Sequence, residues 1–214
     1  MPHSVFVVED HPVMREGYIA LLRAEPDLEV CGEAGSAEEA LLQIEEANPD
    51  LVLLDLQLPG ANGIELVKRI RALELPVKIL VVSAHEESLY ANRALKAGAQ
   101  GYLTKYESAR LAIHAIRSVI EDGQYFSETL RSQLLRDWID GGEGSTGVDA
   151  LTDRELEVFT HIGRGLTTHE IAAALSISHK TVESHRANIK AKLGIARVPE
   201  LIQKAVVWVE SPLN

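Results

Sequence analysis

Acidic side chains stand directly after two short apolar segments of this sequence, where they could bind a cation or accept a phosphoryl group. Glu9 and Asp10 follow the apolar segment 5–8, and Asp55 follows the segment 51–54. Three carboxylates held close together repel one another unless a positive charge lies between them. Carboxylate oxygens are the ligands that Mg²⁺ prefers, and Mg²⁺ keeps several water molecules when it binds. The pattern therefore predicts a magnesium site.

A hydroxyl and an ammonium group follow the next two apolar segments. Ser83 ends the segment 77–82, and Lys105 closes a short segment that begins at Gly101. Beside a metal-bound carboxylate, these groups would form a pocket for a phosphoryl group. Asp55 could attack a phosphoryl donor and become an acyl phosphate, while the cation and Lys105 offset charge on the transferred oxygens. Each residue alone would say little, and the hypothesis depends on their joint placement after four segments.

Alternation of apolar runs with helical patterns explains how these residues could meet. Nearly continuous apolar strands need cover on both faces, so the pattern predicts an α/β domain with a five-stranded, parallel, doubly wound sheet. The carboxyl ends of parallel strands meet at one edge, where chemistry collects in such folds. Strands are predicted over 5–8, 28–33, 51–54, 77–82 and 101–103, and helices over 12–24, 37–47, 63–73, 88–97 and 109–120.

A different organisation follows residue 122. A helix is predicted over 127–139, and Gly141, Gly142, Gly144 and Gly147 indicate a flexible linker. Beyond residue 150 every element is predicted to be helical, which gives a small all-α domain of four helices. Thr152 and Glu155 have the spacing of a capping box, Thr167 or Thr168 caps the second helix, and Ser178 caps the third. Only residues 176–178 separate the second and third helices, a length typical of a helix-turn-helix.

Charge is distributed unevenly between the two parts. Residues 1–149 carry 13 Lys and Arg against 25 Asp and Glu, whereas residues 150–214 carry 8 against 7. An acidic surface repels the phosphate backbone of a nucleic acid, so any DNA contact is expected from the second part.

Other features of the sequence bear on location and redox chemistry. The single cysteine, Cys31, excludes an internal disulfide, and its apolar neighbours predict a buried structural thiol. No apolar run has the length that a bilayer requires, and the N-terminus lacks the basic region of a signal peptide. We therefore expect no membrane partner and a cytoplasmic location.

The first part resembles the receiver domain of two-component response regulators. The resemblance rests on residues 8–12 (VEDHP), 55–60 (DLQLPG), Ser83-Ala84 and 101–105 (GYLTK). It implies a flavodoxin-like fold in which Asp55 is the phosphoacceptor. It also implies that Ser83 and Lys105 assist and that Tyr102 changes rotamer as a switch. We expect His11, directly after the acid pair, to be a capping or surface residue rather than a catalyst. The implied ligands of Mg²⁺ are Glu9, Asp10, Asp55 and the backbone carbonyl of Gln57.

The second part resembles the DNA-binding domain of the NarL/FixJ (LuxR-type) regulators. The matching segments include 151–158, 165–172, 175–178 and 192–194. By this resemblance a recognition helix spans 180–190 and enters the major groove of DNA, and the last helix, around 198–207, forms a dimer contact. Thr181 and Lys190 would contact phosphates, and Glu183, Ser184 and Ala187 would face base edges. Glu183 could accept a hydrogen bond from cytosine N4, but its charge also weakens attraction to the backbone. The whole set of expected DNA-contacting residues is Lys180, Thr181, Glu183, Ser184, Ala187 and Lys190.

Together these patterns predict a phosphorylation-dependent transcriptional regulator that is no enzyme beyond its own phosphorylation and dephosphorylation. The predicted parts are a receiver (1–122), a linker with a helix and a Gly-rich segment (123–147) and a DNA-binding domain (148–214). The expected partners are a sensor histidine kinase, promoter DNA and a second copy of the chain.

Three alternative interpretations compete with this one. The receiver could belong to a phosphorylation-independent DNA-binding or protein-interaction regulator. A haloacid-dehalogenase-type hydrolase would need a second aspartate where this chain has Gln57. A lactone-binding regulator would share only the helix-turn-helix.

Overall fold

The computed structural model describes residues 2–59, 62–84, 87–132 and 147–210, apart from the side chains of 87–89 and 149. Within the described residues, five strands and five helices alternate along the N-terminal part of the chain. The strands are β1 (His3–Val8), β2 (Leu28–Ala34), β3 (Leu51–Leu54), β4 (Lys78–Ser83) and β5 (Gly101–Thr104). The helices are α1 (Pro12–Arg23), α2 (Ala37–Ala47), α3 (Gly63–Ala72), α4 (Glu87–Ala97) and α5 (Ala109–Asp122). All ten agree with the predicted elements to within two residues at each end.

All five strands are parallel, in the order β2-β1-β3-β4-β5. The three central strands are almost fully buried because helices cover both faces of the sheet. Helices α1 and α5 share one apolar cluster with the alternate strand residues Val5, Val7, Leu51, Leu53 and Leu80. Helices α2, α3 and α4 contact one another in sequence order. The predicted doubly wound, flavodoxin-like architecture is confirmed, and β1 and β3 are neighbours, which brings their carboxyl ends together.

The edge strand β2 corrects the expectation for Cys31, whose side chain is exposed rather than buried. The register between β1 and β2 shifts by one residue, so that Val5 pairs with Val30 and Phe6 with Gly32. Cys31 is therefore left without a partner across the ladder. The sequence pattern missed this because a strand at the edge of a sheet has one uncovered side, and an apolar run does not reveal which strand lies there.

Backbone packing sets the start of α3 beside the end of β3. Asn62 caps the helix, because its side-chain oxygen accepts a hydrogen bond from the backbone N–H of Ile64 at 2.7 Å. The Gly63 N–H donates to the carbonyl oxygen of Leu56 at 2.9 Å. A Cβ atom at Gly63 would overlap the backbone at Asp55 and Leu56, so only glycine permits this approach.

The C-terminal part is helical. A short 3₁₀ helix (Gly147–Ala150) precedes α6 (Asp153–Gly163), α7 (Thr168–Ala174), α8 (His179–Leu193) and α9 (Val198–Glu210). Thr152 and Thr167 each form a complete capping box, and Ser178 caps α8, as predicted. Thr167, rather than Thr168, is the cap of the second helix.

Helix α6 is the centre of this unit, since it contacts α7, α8 and α9. Its last residue, Gly163, lies against the backbone of α9: a Cβ atom there would overlap the carbonyl group of Ala205 and the side chain of Val209. Two helix backbones approach this closely only where one of them lacks a side chain.

Two compact units, Met1–Arg136 and Asp137–Asn214, make up the chain. Residues 128–132 are helical, in agreement with the start of the predicted helix over 127–139. The remainder of that helix, and Gly141, Gly142 and Gly144 of the predicted linker, lie outside the described residues. Gly147 begins the 3₁₀ helix instead of lying in a linker. None of the helices in the described part of the chain has the length and hydropathy needed to cross a membrane.

A methyl group at Gly163 is expected to force α6 and α9 apart. Gly163→Ala should lower the free energy of unfolding of the C-terminal unit by roughly 1–3 kcal/mol, the usual cost of overpacking. Differential scanning calorimetry of the full chain would measure the loss. Gly17→Ala is the matched control, because a Cβ at this helical glycine meets no atom within 4 Å. An unchanged unfolding temperature for Gly163→Ala would contradict the close packing.

Candidate phosphorylation and DNA-binding sites

Two buried carboxylates meet at the carboxyl ends of β1 and β3. Glu9 is 1% exposed and Asp55 is 2% exposed. The strand ladder continues to both residues: the Asp55 N–H donates to Val8 O at 2.9 Å, and the Glu9 N–H donates to Ala34 O at 3.1 Å. The sheet therefore determines where both side chains begin, as the sequence predicted.

Lys105 bridges this pair of acids. Its ammonium nitrogen lies 2.6 Å from Glu9 Oε2 and 2.8 Å from Asp55 Oδ2. The backbone holds Lys105 in place as well, because its N–H donates to the carbonyl oxygen of Ser83 at 2.8 Å. Two buried negative charges and one positive charge thus share a small space, which is stable only with close pairing.

The protonation equilibria reflect this arrangement. Burial raises the pKa of Asp55 to about 6, and the charge of Glu9 adds to the increase, whereas Lys105 opposes it. Burial alone would lower the pKa of Lys105, but the carboxylates of Asp55 and Glu9 outweigh it and raise that pKa. At neutral pH, Asp55 is therefore mostly ionised, which nucleophilic attack requires.

Among the described residues, one oxygen of Asp55 has no hydrogen-bond partner. Lys105 binds Oδ2, whereas Oδ1 is buried and accepts no hydrogen bond. Buried carboxylate oxygens without partners are rare in proteins and call for a ligand. Carboxylate oxygens of Glu9 and Asp10 lie within 4.8 Å of each other at the same edge. These hard oxygen donors fit a divalent cation such as Mg²⁺.

Ser83 and Tyr102 occupy the neighbouring strands and are fully buried. Tyr102 pairs with Val81 across the ladder, and Ser83 follows two residues after Val81. Val81 also pairs with Leu54, the residue before Asp55. The two side chains predicted to act with Asp55 thus lie on adjacent strands near its level. The predicted ligand role of the Gln57 carbonyl stays a prediction; Gln57 forms an isolated bridge with Asn62.

Sequence reasoning missed two groups at this site. His11 is the N-cap residue of α1, but its side chain does not cap the helix. Its Nδ1 instead lies 2.7 Å from Asp10 Oδ1 and 3.4 Å from Glu9 Oε1. Arg15 donates from Nη1 to the carbonyl oxygen of Glu9 at 2.7 Å. The spacing from Glu9 to Arg15 spans a turn and a helix start, so sequence alone gave no signal for this contact.

The second site is the exposed face of α8. Val182 and Ile189 are buried against the rest of the unit. Every side chain that the sequence assigned to DNA contact lies on the exposed or half-exposed side: Lys180, Thr181, Glu183, Ser184, Ala187 and Lys190. Three of them already have side-chain partners. Glu183 Oε1 accepts a hydrogen bond from the hydroxyl of Thr168 at 3.0 Å, the Ser184 hydroxyl donates to the carbonyl oxygen of Lys180 at 3.0 Å, and the hydroxyls of Thr181 and Ser178 lie 2.7 Å apart.

Ion pairs fix the turn between α7 and α8. Arg154 binds the carboxylate of Glu157 at 2.6 Å and donates to the carbonyl oxygen of Leu175, the last residue before the turn, at 2.7 Å. Lys192 of α8 binds Glu155 at 2.6 Å. Glu155 and Glu157 are therefore structural, as expected for Glu155 from its capping position.

Comparison with known proteins identifies both domains. A family described as "Response regulator receiver domain" matches residues 5–117, and one described as "Bacterial regulatory proteins, luxR family" matches residues 149–205. The chain is a two-component response regulator of the LuxR-type (NarL/FixJ) family. The receiver and helix-turn-helix domains of such a regulator indicate a histidine kinase partner and DNA binding, and they make it a transcriptional regulator rather than a typical enzyme.

Relatives cover nearly the whole chain. The transcriptional activator protein ExaE of Pseudomonas putida is 36% identical over 204 residues, which are 95% of each chain. The Fimbriae Z protein of Salmonella typhimurium is 33% identical over 95% of this chain and 96% of that relative.

Solved structures share the architecture. A LuxR-family two-component response regulator from Aurantimonas is 33% identical, with a TM-score of 0.59 over 65% of this chain and 99% of that one. RcsB from Salmonella enterica, bound to the promoter rprA with phosphomimetic BeF3⁻, is 23% identical and has a TM-score of 0.64 over 96% and 99% of the two chains. Because RcsB is only 23% identical to this chain, the similarity shows a shared fold and nothing further.

Removal of the shared cation should destabilise the acidic pocket of this response regulator. Lys105→Met leaves Glu9 and Asp55 buried without a counter-charge, so we expect the receiver to lose roughly 3–5 kcal/mol of unfolding free energy at pH 7. Urea denaturation without divalent cations would measure the loss. Added Mg²⁺ should restore more stability to this variant than to the parent protein, because binding to the folded state is linked to stability. Lys96→Met, which removes an exposed ammonium group from α4, is the control. Equal stability of the two variants would contradict the bridging role.

Proposed function

We propose that this regulator is switched by phosphorylation of Asp55 and then binds promoter DNA as a homodimer. The first step rests on one observation at Asp55. Its Oδ1 is buried and has no hydrogen-bond partner among the described residues, whereas Lys105 binds the other oxygen of the same carboxylate. Phosphoryl transfer from a histidine kinase would form an Oδ1–P bond and break the P–N bond of the donor, whose imidazole leaves.

The neighbouring residues supply what this transfer needs. Glu9 and Asp10, with Asp55 and the carbonyl group of Gln57, would hold Mg²⁺, which offsets charge on the phosphoryl oxygens when it is bound. Lys105 would move its ammonium group from the carboxylate of Asp55 to the new phosphoryl oxygens. Ser83 and Tyr102, both buried on adjacent strands, would transmit the change as the switch pair. The receiver thereby promotes its own phosphorylation and dephosphorylation.

The surface beside the pocket suits a protein donor. Val13, near the start of α1, is 82% exposed, and Tyr106, directly after Lys105, is 84% exposed. Apolar side chains this exposed next to a reactive carboxylate support docking of a kinase domain at this edge.

The exposed face of α8 supports the second step. Cations at Lys180 and Lys190 would contact phosphates, Thr181 would add a hydroxyl contact, and Ser184 and Ala187 would face base edges. Helix α9 leaves Val198, Ile202 and Val207 exposed, which supports pairing of two copies through this helix. A protein whose target is promoter DNA would work in the cytoplasm of a bacterium.

Replacement of the phosphoacceptor is the direct test of the first step. Asp55→Asn should abolish uptake of label from radioactive acetyl phosphate, because the amide is not a nucleophile. The stability of the variant should equal or exceed that of the parent protein at pH 7, since burial already disfavours the ionised carboxylate. Asp122→Asn removes an exposed carboxylate at the end of α5 and should keep full labelling. Undiminished labelling of Asp55→Asn would place the phosphoryl group elsewhere.

The dependence of DNA affinity on salt and on phosphorylation tests the second step. Acetyl phosphate with Mg²⁺ should raise the affinity of the full chain for a selected duplex, and should leave Asp55→Asn unchanged. The logarithm of the affinity should fall with the logarithm of the salt concentration by roughly 0.9 for each phosphate contact. Fluorescence anisotropy measures both effects. Equal affinity with and without acetyl phosphate would favour the alternative, a phosphorylation-independent regulator.

A further inference from the structure

Glu183 is an unusual residue for the exposed face of a DNA-binding helix, because its negative charge repels phosphates. It lies one turn from Lys180 and from Ala187 on α8, and the buried residues Val182 and Ile189 face away from this surface. The repulsion between this charge and the phosphates weakens binding unless Glu183 makes some other, favourable contact with DNA.

The structure shows that this carboxylate is held in one position. Thr168 donates its hydroxyl hydrogen to Glu183 Oε1 at 3.0 Å, and the same hydroxyl oxygen accepts a hydrogen bond from Arg186 Nη1 at 2.5 Å. The guanidinium of Arg186 also lies 3.7 Å from Glu183 Oε1. Hydrogen bonds in such a chain polarise and strengthen one another.

The contacts fall on one oxygen only. Oε1 carries both the Thr168 and the Arg186 contacts, whereas Oε2 has no hydrogen-bond partner among the described residues. The Glu183 side chain is 53% exposed, but the Arg186 side chain is only 18% exposed. The free oxygen is thus oriented by its neighbours before any DNA binds, so less conformational entropy is lost when it forms a contact.

We propose that Glu183 selects cytosine at one position of each half-site, with Thr168 as its positioning residue; this inference rests on the proposed DNA-binding function. In the major groove, cytosine presents only a hydrogen-bond donor, its N4 amino group, to an acceptor such as a carboxylate. Guanine and the O4 edge of thymine present acceptors, which repel it, and adenine places its N7 acceptor beside its donor. Cytosine is therefore preferred over all three.

The closing experiment selects bound sequences from a random duplex pool with the full chain, treated with acetyl phosphate and Mg²⁺. The parent protein should enrich a site with cytosine at a fixed position, and Glu183→Gln should change that position to adenine, because glutamine pairs with adenine N6 and N7. Glu183→Ala should lose the preference and bind duplexes without that cytosine more tightly. Glu210→Gln, which removes an exposed carboxylate at the end of α9, is the control for charge alone and should keep cytosine.

Dissociation constants on single-substitution duplexes then measure the effect. Replacement of the cytosine should weaken binding by the parent protein on the order of 5- to 150-fold, the range for a well-formed base contact. Thr168→Val keeps the charge and should reduce this discrimination several-fold. Enrichment of a site whose sequence does not depend on residue 183 would overturn the inference but leave DNA binding intact. Absence of any enriched sequence and of salt-dependent binding would overturn the proposed function itself.

Discussion

The bridge from Lys105 to Glu9 and Asp55 is the interaction on which the receiver depends. The carboxylates of Glu9 and Asp55 lie close together because each directly follows one of two neighbouring parallel strands, β1 and β3. Without a cation their repulsion and burial would be prohibitive. The ammonium group stabilises the two ionised carboxylates, yet Oδ1 of Asp55 still has no hydrogen-bond partner among the described residues. The ion pairs therefore let the site fold, and the remaining oxygen of Asp55 is available for reaction.

Paired charges have a different purpose in the DNA-binding unit. Arg154 ties α6 to the end of α7, and Lys192 ties α8 to Glu155, so the angle of the helix-turn-helix is set by contacts behind the exposed face. Apart from the contacts of Glu183 and Arg186 with Thr168 of α7, the exposed face of α8 then contributes little to holding the helices together. Its polar residues can differ between relatives without loss of the fold, which suits a surface whose sequence selects a target.

The sequence predicted elements well where local chemistry determines them. Apolar runs marked each strand, and Thr152 and Ser178 marked helix starts, because caps act within one turn of chain. It also predicted that Glu9 and Lys105 lie beside Asp55, since parallel strands end at one edge. It failed for Cys31, whose exposure depends on strand order. It also missed the contacts of His11 and the fixed position of Glu183, because these depend on rotamers and on residues distant in sequence.

The irregular register of β2 has a consequence for solubility. An edge strand offers unpaired backbone groups to which a strand of another molecule can add. Here Cys31 interrupts the ladder, and the same strand exposes Glu29 and Glu33, the second of which pairs with Arg15 of α1 at 3.1 Å. A bulged, negatively charged edge discourages a second copy from extending the sheet. Strand addition between molecules is thereby opposed at this edge of the sheet.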